Sequence, residues 1–71
     1  MDRAMQLRHL EQAERHVAQG AQHIAEQEAR IASFIRRGQD AAEARKLLDN
    51  FNASQVLHVQ HRDRIRQELA E

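Results

Sequence analysis

The chain holds no cysteine, proline, tryptophan or tyrosine, and only two glycines and two phenylalanines in 71 residues. Without cysteine no disulfide can brace the fold, and no thiolate can serve as nucleophile or metal ligand. No stretch approaches the roughly 20 apolar residues that a membrane-crossing helix needs. Neither sign of charge dominates, because eleven basic side chains meet eleven acidic ones, and a neutral balance supplies no pull toward nucleic acid or an anionic membrane. β-Branched residues are few and no segment alternates cleanly between apolar and polar, which removes the strand signals. The start, Met1-Asp2-Arg3-Ala4-Met5, lacks the apolar run of a signal peptide. The expected setting is therefore the cytoplasm, for a single domain spanning residues 1–71.

What remains is chiefly Ala, Gln, Glu, Arg and Leu, all strong helix formers. A composition of this kind with helical periodicity reads as long helix or coiled coil. His9, His16 and His23 recur every seven residues, each just before a member of the apolar line Leu10, Val17, Ile24 and Ile31. That repeat predicts one long helix with histidines along the margin of its buried stripe.

One break stands out, at Arg36-Arg37-Gly38-Gln39-Asp40. The arginines suit the negative end of a helix and Gly38 suits the left-handed conformation just past it. Asp40 with Glu43 three residues on has the spacing of a capping box. The reading is all-α, a two-helix hairpin of about residues 2–37 and 40–70, forced antiparallel by the short loop. The buried face predicted for the first helix is Leu7, Leu10, Ala13, Val17, Ala21, Ile24, Ile31 and Ile35. For the second it is Ala44, Leu47, Leu48, Phe51, His58, Ile65 and Leu69. A turn centred near residue 39 sets facing residues to numbers summing to about 78, which places Gly20 and Ala21 opposite His58 and Arg62 near Glu14. Phe34, Val56, Leu57 and Val59 fall off that seam. Two helices cannot surround a core, so a homodimer forming a four-helix bundle, or a higher oligomer of hairpins, is expected.

The residues that carry chemistry are the histidines and two carboxylates. Histidines seven apart stand about 10 Å apart along a helix, too far for any two of the three to share a metal. His58 and His61, three apart, share a face, and His16 approaches them in the expected register. These three are the only ligand candidates. Against them, the chain has no Glu-x-x-His, the spacing expected of a bundle metal site, and the competing role for His58 is a hydrogen-bonded interior ring. Gly20 within a helix calls for a packing reason, since it costs about 1 kcal/mol relative to Ala; the His58 ring is the expected one. Glu14 and Glu28 fall on the predicted buried side but lie about 21 Å apart along the helix, which excludes a catalytic pair. His61-Arg62-Asp63 matches the His-Arg-Asp of a kinase loop only as letters, because 71 residues of helix cannot build the two-lobed fold. There is no Gly-rich phosphate loop and no nucleophile elbow.

From Ala13-Glu14-Arg15-His16-Val17 through Gly20, His23 and Ile24, the sequence resembles a group of short uncharacterised bacterial proteins. The resemblance continues through Gly38, Ala42-Glu43-Ala44-Arg45, Leu47-Leu48, Phe51, Gln55, Leu57-His58 and Arg62-Asp63-Arg64. It implies a small stand-alone helical protein and transfers no catalytic residue, cofactor or ligand. The leading expectation is a non-enzymatic structural or interaction module that self-associates through its apolar helix faces, or docks on another helical protein. The alternatives are a histidine-dependent metal-binding or pH-responsive bundle, and a weak nucleic-acid accessory protein. The last would need basic residues gathered on one surface, a pattern the sequence does not show.

Overall fold

A computed structural model describes residues 2–71. Two helices, α1 (Arg3–Arg36) and α2 (Ala42–Ala70), lie side by side in a rod of 55 × 14 × 13 Å. The hairpin expected from the sequence is what forms. Asp2 caps α1, its Oδ1 accepting from the Ala4 N–H at 3.0 Å, which satisfies one of the free amides of the first turn.

The end of α1 follows from Gly38, whose φ is +70°. Its N–H donates to the Ile35 carbonyl at 3.0 Å, while the Gln39 N–H reaches back to the Phe34 carbonyl at 2.8 Å. These two bonds make a Schellman motif, which needs a residue free to adopt positive φ. Arg37 lays its guanidinium over the Phe34 ring, 5.7 Å from the centroid. The start of α2 differs from the expectation. Asp40 is not the cap; its Oδ1 accepts from the Ala42 N–H at 2.9 Å while the helix begins at Ala42. Glu43 turns forward to Lys46 at 3.2 Å, so no capping box closes. Ala41, 6% exposed, is drawn into the seam instead, and the connection becomes residues 37–41.

The seam is a heptad pattern on both helices. On α1 Leu10, Val17, Ile24 and Ile31 alternate with Ala13, Gly20, Gln27 and Phe34. Along α2 and the Ala41 that precedes it, Ala41, Leu48, Gln55, Arg62 and Leu69 alternate with Ala44, Phe51, His58 and Ile65. Every one of these is buried or half-buried. Spacings of three and four keep such a stripe facing a neighbouring helix along its whole length. The predicted faces need correcting against it. Leu7, Ile35 and Leu47 are 43%, 54% and 39% exposed, and Ala21 is exposed too; Gly20, Gln27, Phe34, Gln55 and Arg62 take seam positions.

The register shifts as well. Gly20 meets Gln55, a sum of 75, and His16 with His58 and His23 with Phe51 each sum to 74. Because residues 37–41 fold back along the seam, a sum of 75 sets Ala42 level with Ser33, about one turn short of the end of α1.

Candidate functional site

Two glutamines fix that register: Gln27, absent from the expected faces, and Gln55, which entered only as part of the resemblance. Gln27, 2% exposed, donates from Nε2 to the Ala44 carbonyl at 2.9 Å, and its Oε1 accepts from Arg30 at 3.1 Å. Gln55 answers from the other helix, donating from Nε2 to the Val17 carbonyl at 2.8 Å. A helix carbonyl retains an acceptor lone pair beyond its own i+4 bond. Each glutamine therefore ties one helix to the backbone of the other at a single height. Gln55 crosses directly over Gly20, where a Cβ would stand 2.8 Å from its Cδ and closer to its Oε1. The packing reason for the glycine is Gln55, rather than the expected ring of His58. The Gln55 Oε1 itself is buried without a hydrogen-bond partner. The signals that point to these residues are the seven-residue lines Gln6, Ala13, Gly20, Gln27, Phe34 and Ala41, Leu48, Gln55, Arg62, Leu69.

All five histidines gather on one flank of the hairpin. His9, His16 and His61 line one recess with Gln12 and Ala13. His23 and His58 line the next with Gly20, Phe51 and Ser54. His16 and His58 face each other across the seam with centroids 5.6 Å apart and planes inclined by 49°, while His23 meets Phe51 at 5.8 Å. His9, His16 and His23 are exposed at the seam margin, as the heptad implied, and His58 is half-buried in the seam. Among the described residues no three His, Asp or Glu side chains are grouped as a metal ion requires. The set His58, His61 and His16 is thus not assembled: His58 meets His16 through the ring pair, and His16 shares its recess with His61.

The opposite flank has different chemistry. An open groove there is lined by Asn52, Gln55, Val56, Val59 and Gln60, almost wholly through apolar atoms. Glu14 and Glu28 are exposed on this side rather than buried. Glu14 pairs with Arg66 at 3.4 Å instead of Arg62, which turns to Asp63 at 3.0 Å. Val56 and Leu57 are 55% and 66% exposed, whereas Val59 and Phe34 are half-buried. Among the described residues no helix is long and apolar enough to cross a membrane. No family model, no curated protein and no solved structure matches the chain.

Proposed function

We propose that this hairpin is a structural interaction module, without catalytic chemistry of its own, that completes its core by associating with a second copy. The unfinished core carries the reading. A compact monomer of 8.3 kDa exposes about 4,600 Å², whereas this chain exposes 5385 Å². The surplus of about 800 Å² reflects a rod of 55 × 14 × 13 Å, which leaves much of both helices open to water. The apolar residues buried within the hairpin are Ala13, Ile31, Ala41 and Ile65, and two of those are alanines. A core this slight is marginal for so small a chain without staples. Sedimentation and light scattering across the micromolar range, with helicity followed in parallel, should give a dimer whose melting temperature rises with concentration. A well-folded monomer throughout that range would overturn the reading, and so would stability arising only on adding another helical protein.

A second reading, a histidine-dependent bundle, is favoured by the gathering of five histidines on one flank and by the His16–His58 pair. Two imidazoles from facing helices offer nitrogen ligands of the kind that a borderline transition metal such as Zn²⁺ takes, short of the three or four protein ligands of an established zinc site. Ion at ten times its Kd stabilises a fold by about 1.4 kcal/mol. Zn²⁺ should therefore raise the melting temperature by a few degrees, and His16→Ala with His58→Ala should abolish the rise. An unchanged melt with Zn²⁺, together with flat stability from about pH 5 to 8, would discard it.

A further inference from the structure

The groove flank carries complementarity of charge and size between its own two helices. On α1, the residues just past the seam on this side are Ala21 at the centre, with Glu14 and Glu28 seven residues to either side. Ala18 and Ala25 lie beside Ala21, so the middle of this face is shallow. On α2, the corresponding residues are Asn52 and Val59 at the centre, with Arg45 and Arg66 toward the ends. Val56 extends the apolar surface outward. One helix thus presents small side chains bounded by acids, and the other larger apolar side chains bounded by bases. The remaining acids of the flank lie one position further out, and Asp63 among them is held by Arg62 at 3.0 Å.

We propose that a second copy of the chain docks on this flank about a two-fold axis parallel to the helices. α1 of each copy then lies antiparallel against α2 of the other, closing an antiparallel four-helix bundle. The proposal rests on the self-association described above and adds its face and its axis. Charge decides the axis. Glu28 and Arg45 sit at nearly the same height, and among the described residues neither has an ion-pair partner within its own chain. The parallel axis sets Glu28 of each copy against Arg45 of the other, and brings Glu14 and Arg66 together at the far end. A two-fold axis perpendicular to the helices would stack α1 on α1, with Glu14 opposite Glu28 and Arg45 opposite Arg66. Like charges in direct opposition disfavour that arrangement. Size agrees, because Ala18, Ala21 and Ala25 leave room for Val56 and Val59 where valine on valine would hold the helices apart.

The absence of native cysteine allows a direct test. Ala21→Cys and Asn52→Cys are prepared as separate proteins, checked for unchanged helicity, and oxidised alone and as a mixture. Both positions are exposed in the hairpin. The mixture should yield a disulfide-linked heterodimer, and neither protein alone should link efficiently. A strong self-link through Ala21→Cys would put α1 on α1 and overturn the arrangement, as would a mixture that fails to link. Sedimentation of the reduced proteins separates the two levels: a monomer sinks self-association altogether, whereas a dimer with the wrong links sinks only the face and axis. In a second measurement, Glu28→Arg should weaken the dimer about tenfold, with Arg45→Glu in the same chain restoring it. A Glu28→Arg dimer as tight as the parent would count against the pairing.

Discussion

The two flanks of this hairpin border one seam yet have opposite chemistry. One collects His9, His16, His23, His58 and His61 around two recesses; the other sets Val56 and Val59 in an apolar groove beside an alanine-rich stretch of α1. Imidazoles at a seam margin pack their ring faces and still offer nitrogens to water, so the histidine flank is the wetter of the two, although Leu47 and Leu57 stay 39% and 66% exposed toward it. Valines beside alanines have nothing to offer water, and the groove flank remains unfinished. Under the association proposed above, the residues one position to either side of the seam separate the flank that stays in water from the flank that a second copy covers.

The largest expected effect breaks this contrast in a single pair of variants. Val59→Glu places a carboxylate at the centre of the groove flank, where association would strip it of water. Burying an unpaired polar group costs about 2–7 kcal/mol, and a charged one more, so the dimer should weaken by about 30-fold or more. Ser54→Glu adds the same charge to the histidine flank and should leave the sedimentation profile unchanged. Equal losses from both variants would show that the flanks are not distinguished by association.

Next in size is the seam that the flanks share. Gly20→Leu drives a side chain into the space held by Gln55. Overpacking of this kind costs about 1–3 kcal/mol, read as a lower urea midpoint. Ala21→Leu, one residue away but exposed on the groove flank, should spare the hairpin and act only on the dimer. A neutral Gly20→Leu would mean that the crossing of Gln55 is not what keeps the glycine.

The sequence made some of these features legible and hid others, for physical reasons. Helix formers and the left-handed demand at Gly38 are local properties, so the hairpin could be read residue by residue. The seven-residue recurrence of His9, His16 and His23 located the seam margin correctly. Gln27 and Gln55 were hidden because their burial depends on reaching a carbonyl of the other helix at one particular height. Height depends in turn on the path of residues 37–41, where the burial of Ala41 moves the start of α2 by two residues. A long-range hydrogen bond cannot be seen until the register is known, and an error of one turn reassigned Gly20 from Gln55 to His58. The histidine cluster was half legible: its members were evident, but the His16–His58 contact required the corrected height.

The smallest effect sharpens the comparison most finely. Each flank carries a side chain–side chain contact between the helices near the chain ends: Glu14 with Arg66 at 3.4 Å on the groove side, and Gln6 donating to Glu68 at 2.8 Å on the histidine side, where Arg3 also donates to the Leu69 carbonyl at 3.4 Å. In the isolated hairpin the ion pair is half exposed, with side chains 48% and 51% accessible, and such pairs contribute about 0–1 kcal/mol. A second copy on the groove flank would remove water from Glu14 and Arg66 while leaving Gln6 and Glu68 solvated. Charged hydrogen bonds strengthen as the surroundings lose water. At dimeric concentrations Glu14→Gln should therefore cost about 1 kcal/mol, and Glu68→Gln less than about half of that. On dilution to monomer the two losses should converge. Equal losses at every concentration would leave both flanks facing the same solvent, and the difference between them would then be one of composition alone.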